Sequence, residues 1–439
     1  MADDGFRKVL IIAYYFPPLG LSGVQRTMKF AKYLSQYGWK PTVLTINPAG
    51  YFAFDDTLSR EIEAAGVRVV RTHSHDVNRF FTKEVAVKMP SERSRKILQY
   101  LGDWFFIPDT KVGWKSFAVK AATELLEHEQ FDLIFATAPP QTSFLIGTVL
   151  KKRFKLPLVV DYRDSWLNYP FKYFPTPLHR LLHRRLEKRV MKAADRVTVT
   201  NRRVKEELLR RYPTMNYDEV IILSQGFDPE DFPALNEKRT RSAKLHITHA
   251  GTFYGDRNPA IFFQALSNVL RDNPKMRGRI EVHLIGSMRN EELLWVKKFD
   301  LQNVVTFHHY LPHRECAKLM SEADALWFVL DNDYQTPGKL YEYFATRRPI
   351  LASVVDGYTK QLLNESGVAQ CVPLKDVRAH EQALLELFKK FEARKLERTS
   401  QEFLNKFNRF TLTGDLARIF EFLMDYDRGT VVTKKETVS

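Results

Sequence analysis

The stretch KVLIIAYYFPPLGLSGVQRTMKFAKYLSQYGWKPTVLTI (8–46) decides the fold. Its first nine residues are a short, nearly continuous apolar run, as expected of a strand buried on both faces of a parallel sheet. The loop PPLGLSG follows, and then a segment in which Val24, Met28, Ala31 and Leu34 recur at helical spacing until Gly38 stops it. PTVLTI (41–46) supplies the next strand. Strand, loop, helix and strand in this order begin a doubly wound α/β fold.

Working outward, further strands are predicted at 67–72, 131–137, 156–162 and 196–200, with amphipathic segments between them. The stretch from about 73 to 120 is less regular, basic and aromatic, and reads as an insertion carrying helices. The plan then restarts. LHITHAG (245–251) is a strand, TFYGDR a loop, NPAIFFQALSNVL a helix and RIEVHLIGS (279–287) a strand, and VVTFHHY, ALWFVL and PILASV continue the alternation. The spacing predicts an N-terminal domain over 1–225, a second domain over 226–412, a C-terminal helix over 413–427 and a disordered tail over 428–439.

The 439 residues exceed one ordinary core, and 44% hydrophobic residues can fill two. No apolar run approaches the roughly 20 residues of a membrane-spanning helix, and the opening MADDGFRKVL lacks a small-residue cleavage site after its apolar stretch. A cytoplasmic protein is expected. Two cysteines, Cys316 and Cys371, cannot build a disulfide framework, and His313, three residues before Cys316, is a weak metal motif. The formal charge of +15 asks for a polyanion, a membrane face or an anionic substrate.

Loops at the carboxyl ends of the strands are where such sheets bind ligands. PLGLSGVQ has glycines at 20 and 23 only, not the G-x-G-x-x-G of a dinucleotide site, and the second strand ends TINP where an acidic ribose ligand would stand. The turn at Ser22-Gly23 could still bring backbone N–H groups to a phosphate, or Gly23 could serve only the bend. In the second half, Asn258 suits an N-cap and Pro259 a first helical position, which puts Arg257 at a helix N-terminus. Thr336 and Pro337 mark another helix start, with Lys339, Glu342 and Tyr343 on one face. A cation in a first helical turn is disfavoured by a few tenths to about 1 kcal/mol, whereas a charge-assisted contact to an anion contributes about 1.5–3 kcal/mol. Lys339 and Arg257 would therefore meet phosphate, and Glu342 would accept two ribose hydroxyls. The competing readings are a solvated loop arginine and an exposed lysine–glutamate pair.

The motifs YYFPPLGLSGVQR, IPDTKVGW (107–114), TAPPQTSFLIG (137–147), VVDYRDSW (159–166), AADRVTVT (193–200), SQGFD (224–228), HAGTFYGDRNP (249–259) and PGKLYEYFATRRPILA (337–352) together resemble a bacterial glycosyltransferase of the GT-B architecture, in the retaining group called family 4. That resemblance implies two Rossmann-like domains facing a cleft, with the C-terminal helix returning to the N-terminal domain. It implies an N-terminal acceptor domain and a C-terminal domain that binds a nucleotide-diphosphate sugar, the donor substrate, with no further cofactor and no metal. Donor-binding residues would be Gly23, Gly251, Arg257, Gly338, Lys339 and Glu342. Catalysis would fall to Arg257 and Lys339, which neutralise the leaving diphosphate, with Asp164 and Arg163 at the strand end where relatives carry a histidine. An arginine–aspartate pair with a structural role is the alternative there. The family's E-x7-E pair is half present, because Tyr334 stands in place of the first glutamate.

Two further readings concern ions and surfaces. Asp331-Asn332-Asp333 resembles a D-x-D metal motif, although it follows a buried strand and reads better as a polar loop. Between 172 and 211 basic residues far outnumber acidic ones, with Phe171, Tyr173 and Phe174 upstream, which suits an anionic lipid surface. A glycan or lipid-linked acceptor, polysaccharide assembly and a peripheral place on the inner face of the plasma membrane follow from that reading. No nucleic-acid-binding motif is present, and nucleic acid is not expected as a partner. A sugar-nucleotide epimerase of the same architecture, or a basic nucleic-acid- or membrane-binding protein without transferase activity, are the alternatives.

Overall fold

The computed structural model describes residues 5–48, 51, 53–75, 91–232 and 242–436, with backbone alone beyond 425. It divides into two compact units, one comprising residues 1–87, 97–224 and 409–439, the other 88–96 and 225–408.

The chain first forms β1 (Arg7–Ile12), α1 (Ser22–Tyr33), β2 (Trp39–Ile46), α2 (Asp56–Ala64), β3 (Arg68–Thr72) and α3 (Glu92–Phe105). There follow α4 (Lys115–His128), β4 (Leu133–Ala138), α5 (Thr142–Phe154), β5 (Leu158–Tyr162), α6 (Pro177–Ala193), β6 (Arg196–Val199), α7 (Arg202–Arg211) and β7 (Val220–Ile222). These strands make a seven-stranded sheet in the order β3-β2-β1-β4-β5-β6-β7, and every pairing is parallel. All six residues of β4 are buried, so the apolar run seen in the sequence reflects helices on both faces.

The second unit repeats the plan with β8 (Leu245–Ala250), α8 (Ala260–Asp272), β9 (Ile280–Ile285), α9 (Asn290–Lys298), β10 (Val305–His308) and α10 (His313–Glu322). It continues with β11 (Ala325–Leu330), α11 (Gly338–Ala345), β12 (Ile350–Val354), α12 (Tyr358–Glu365), β13 (Ala369–Pro373), α13 (Val377–Glu392) and α14 (Gln401–Asn405). Its six strands lie in the order β10-β9-β8-β11-β12-β13. In each sheet the strand order reverses once, between β1 and β4 and between β8 and β11, and the crevice beyond such a reversal is where doubly wound folds hold ligands.

The last helix, α15 (Arg409–Glu436), belongs to the first unit. Phe420 anchors it, with its ring centroid 5.1 Å from Trp39 and 5.6 Å from Phe135. Full burial of one such ring contributes about 1.5–3 kcal/mol. The expected tail over 428–439 is instead helical as far as Glu436, while 437–439 lie outside the described residues. No proline interrupts the segment, and the single Gly429 costs only about 1 kcal/mol, too little to end a helix already nucleated. Residues 76–90 of the expected insertion also lie outside the described residues; the rest of it carries α3 and the start of α4. Two strands, β7 and β13, go beyond the sequence prediction. Both are half-buried edge strands without a continuous apolar run.

Candidate functional site

In the second unit the candidate residues gather beyond β8 and β11, the strands that flank the reversal. Arg257, in the loop after β8, donates from Nε to Asp331 Oδ1 at 2.7 Å and from Nη2 to Gln335 Oε1, both in the loop after β11. The D-x-D-like stretch is thus folded onto an arginine. Asp331 also accepts from Asn332 Nδ2 at 2.9 Å, and Asn332 Oδ1 accepts the backbone N–H of Gln335 at 3.1 Å. One helical turn past Gln335 stands Lys339, whose Nζ lies 2.6 Å from Glu342 Oε2.

The helix starts differ from expectation by about a residue, the usual uncertainty of such boundaries. Pro337, not Thr336, occupies the N-cap of α11, and no side chain caps that helix. Pro259 holds the N-cap of α8, but Asn258 still acts there, because its Oδ1 accepts the N–H of Ala260 at 3.1 Å.

Lys339 is neither solvated nor unmatched. Its side chain is 19% exposed and that of Glu342 7% exposed, in an enclosed cluster with His313 and Cys316. His313 Nε2 lies 3.3 Å from Glu342 Oε1, and its Nδ1 lies 3.7 Å from Asp231 Oδ2. Burial alone would push the Glu342 carboxyl up; Lys339 and His313 more than offset that and hold it at about 2. Burial opposes charge on Lys339 too, yet the carboxylate of Glu342 keeps its ammonium above the ordinary lysine range. His313 is likewise held up by Glu342 and Asp231 against its burial. The weak His313–Cys316 metal motif is therefore divided between other tasks, and neither residue joins any of the metal-competent groups among the described residues.

The glycines of this site differ in what they must avoid. A Cβ on Gly338 would meet nothing closer than Gln225 Oε1 at 3.9 Å, so the protein itself leaves room there. A Cβ on Gly251 would stand 3.3 Å from His249 Nε2. Gly286, with φ +135°, is the tight one: a Cβ would fall 2.3 Å from the carbonyl oxygen of Gly251, pinning the end of β9 to the turn after β8.

His249 was not among the residues singled out from sequence. Buried in β8, it shares a hydrogen bond between Nδ1 and the Trp327 carbonyl at 2.9 Å and stacks on Phe253 at 4.6 Å. Its Nε2 has no hydrogen-bond partner among the described residues. Burial pushes its pKa down to about 4, so it offers a neutral nitrogen beside Gly251. Its signal in the sequence was a histidine within a buried strand, next to the glycine of the ligand loop.

The first unit treats its cations otherwise. Arg163, after β5, donates to the carbonyls of Ala138 at 3.0 Å, Gly23 at 2.8 Å and Pro139 at 3.3 Å. It thereby joins the ends of β4 and β5 to the start of α1 and brings two of the sequence candidates, Arg163 and Gly23, together. Asp164, beside it, is half-buried. A Cβ on Gly23 would meet nothing within 4 Å, and the positive φ of this turn falls on Leu21 at +71°, so the bend does not need Gly23. The charge missed from sequence is Asp161. Fully buried, it accepts from Arg26 Nε at 3.0 Å and Nη2 at 2.9 Å, from Thr137 at 2.8 Å and from Thr198 at 2.9 Å. Arg26 also donates to the carbonyls of Ser224 and Leu223.

The basic region is less uniform than its composition suggests. Lys172 is tied to Asp103 at 2.6 Å, Arg211 is buried against Glu187 and Glu207, and Lys205 lies over the ring of Tyr217 at 3.3 Å. Arg180, Arg184, Arg185, Lys188, Arg189 and Lys192 remain exposed along α6. Beside them α3 exposes Leu98, Leu101, Trp104 and Phe105, the last 76% exposed, and the two helices meet where Trp104 packs on His179 at 5.3 Å. No helix among the described residues is long and apolar enough to cross a membrane.

Comparison with known proteins places this geometry. In structure the chain is similar to a sucrose-phosphate synthase of Thermosynechococcus elongatus, at 15% identity and a TM-score of 0.64, covering 96% of this chain and 100% of that one. It is similar to HepE of Anabaena in complex with UDP and glucose, at 15% identity and TM-score 0.62, covering 94% and 99%. It is also similar to a Listeria monocytogenes protein described as a UDP-N-acetylglucosamine 2-epimerase, at 12% identity and TM-score 0.58, covering 96% and 97%. At such identities the likeness speaks to the fold. No curated protein matches the chain in sequence. Residues 23–223 match the glycosyl transferase 4-like domain and residues 244–390 match the glycosyl transferases group 1, which together span most of the sequence. With one such domain on each of its two parallel sheets, the chain belongs to the glycosyltransferases of the GT-B fold.

Proposed function

We propose that the protein transfers a sugar from a nucleotide-diphosphate sugar to a glycan or lipid-linked acceptor with retention of configuration. The observation that carries the donor site is the pairing of both candidate cations with carboxylates at the β8/β11 reversal, Arg257 with Asp331 and Lys339 with Glu342. A diphosphate arriving there would draw Arg257 and Lys339 from their carboxylates. Glu342 would then be free to accept hydrogen bonds from two ribose hydroxyls. Gly251 and Gly338 would let the backbone approach the phosphates, aided by the N-terminus of α11. During transfer the bond from the anomeric carbon to the phosphate oxygen breaks, and negative charge accumulates on the diphosphate. Two fixed cations stabilise that charge more in the transition state than in the bound donor, which lowers the barrier without a strong protein base or a metal cofactor. The departing phosphate takes the proton of the acceptor hydroxyl.

In the first unit Asp164 would orient the acceptor or the transferring sugar. Arg163 would act on catalysis by fixing the loops that carry Asp164 and Gly23, since its guanidinium already serves three carbonyls. The exposed cations of α6 and the exposed aromatic face of α3 support docking on an anionic membrane, and through it a lipid-linked acceptor and a role in cell-surface polysaccharide assembly at the cytoplasmic face.

The test is a thermal-shift screen over nucleoside diphosphates and nucleotide sugars, repeated with Lys339→Ala and Glu342→Ala. Stabilisation by one nucleotide class, lost in both variants, is expected. Equal stabilisation in wild type and both variants would sink the site. The cluster of His313, Glu342 and Asp231 also supplies the acid–base groups an epimerase needs, which keeps that reading as the second. It requires a nucleotide sugar incubated with the protein alone, without acceptor, to yield its epimer.

A further inference from the structure

Across the first strands of the second sheet the side chains of His246 on β8, His283 on β9 and His308 on β10 form a row. His246 Nδ1 faces His283 Nε2 at 3.1 Å, and His283 Nδ1 faces His308 Nε2 at 3.1 Å. At the other end of the row His246 Nε2 lies 2.8 Å from Ser242 Oγ. The parallel register sets Glu281 opposite His246, and its Oε2 stands 3.5 Å from His246 Nδ1 and 3.9 Å from His283 Nε2. The other oxygen, Oε1, holds Lys244 at 2.5 Å.

We propose that this row is a binding site for a zinc-class divalent transition ion, with His246 Nδ1, His283 Nε2 and Glu281 Oε2 as its protein ligands. The three atoms mark a triangle with edges of 3.1, 3.5 and 3.9 Å. Zinc with bonds of about 2.0–2.1 Å in a tetrahedron requires ligand atoms about 3.3 Å apart, so the triangle is already near the required size. Each imidazole would tilt by about 35° from the line joining the two nitrogens, toward Glu281, to aim its lone pair at the ion. The side chains of His246, His283 and Glu281 are 21%, 22% and 30% exposed, which leaves room for the tilt and for a water as fourth ligand.

The outer nitrogens are arranged as metal sites require. A ligating histidine donates its other N–H to a fixed acceptor, which sets the tautomer. Ser242 Oγ can accept from His246 Nε2, and His308 Nε2 from His283 Nδ1. In that tautomer pair both inner nitrogens present lone pairs to one another, an arrangement that an ion relieves. Without the ion one proton must move inward to form an N–H···N bond. Lys244 stays on Glu281 Oε1 and does not compete for Oε2. Imidazole and carboxylate ligands in this number suit zinc, cobalt or nickel better than magnesium or calcium.

His246 is the second residue of β8, whereas the candidate donor site follows the last residue of that strand. Four residues at about 3.3 Å each separate His246 from Ala250 along the strand, so the ion would clasp neighbouring strands rather than touch the sugar donor.

The test is calorimetric titration of the untagged full-length chain, stripped by chelator and dialysed, with zinc chloride. One equivalent is expected to bind, and cobalt(II) should give the visible absorption of tetrahedral coordination. His283→Gln and Glu281→Gln should each weaken zinc binding by more than about 100-fold, and His308→Gln, which acts through the ring of His283, by about 10–100-fold. Far-UV circular dichroism of each variant checks that the sheet is intact. Absence of zinc binding in the wild type, or one equivalent retained at unchanged affinity in the folded His246→Gln/His283→Gln double variant, would overturn the site.

Discussion

The carboxyl ends of the two parallel sheets are built on one plan, yet the cations near them are managed in opposite ways. In the first unit Arg26 and Arg163 end on a buried aspartate and five backbone carbonyls, groups that cannot leave without unfolding the strand ends. In the second unit Arg257 and Lys339 end on the carboxylates of Asp331 and Glu342, side chains that can rotate away when another anion arrives. Cations near the strand ends thus serve architecture in the first unit, and in the second they rest on the movable side-chain partners that the proposed donor exchange requires. The partner, not the cation, carries the distinction.

Asp161→Ala puts the architectural half of that contrast under the greatest strain. Removing one member of a buried pair leaves Arg26 uncompensated, and the loss is expected to reach about 3–5 kcal/mol in the unfolding free energy, measured by denaturant titration. A shift below about 1 kcal/mol would mean that the pair is not structural.

Lys339→Ala probes the exchangeable half. It should leave the fold intact and lower kcat/KM for the cognate nucleotide sugar by about 10²–10³-fold, the usual cost of removing one preorganised group from a developing anion. Loss of stability without loss of rate would reverse the assignment.

Gly286→Ala sharpens the comparison at the backbone. Its Cβ would collide with the Gly251 carbonyl, and the positive φ adds strain of about 1–3 kcal/mol. Lowered melting together with weakened nucleotide binding is expected, because the turn after β8 must move. Unchanged binding would show that Gly251 does not line the donor pocket.

The smallest effect is a matter of pH. Glu342 is held at about 2, below its ordinary 4.5, so its pairing adds stability above about 4.5 that is lost as pH falls toward 2. The difference in melting temperature between wild type and Glu342→Gln should therefore shrink on acidification through this window. A constant difference would indicate that the carboxylate is unpaired in solution.

Much of this organisation was legible in the sequence where burial was two-sided. Central strands such as β4 and β11 carry unbroken apolar runs because helices cover both faces, whereas β7 and β13 lie at sheet edges and lose that signature. Lys339 and Glu342 were readable as partners because they sit three apart on one helix. Arg257 and Asp331 were not, since 74 residues separate them and only the parallel order of β8 and β11 brings their loops together. VVDYRDSW shows the same limit. Arg163 and Asp164 draw attention as a polar pair, while the more deeply buried charge is Asp161, whose partner Arg26 lies 135 positions away.

Cys316 gives the Lys339 cluster an optical handle. Its thiol lies 3.9 Å from Lys339 Nζ, and burial raises its pKa despite that ammonium, so it stays protonated and shielded. A chromogenic disulfide reagent can reach it only during excursions that uncover the start of α11. With Cys371→Ser the chain keeps a single thiol, and the labelling rate becomes a clock for how often that helix end opens. A nucleotide that closes the cluster would slow the clock, and a ligand bound elsewhere would leave it running.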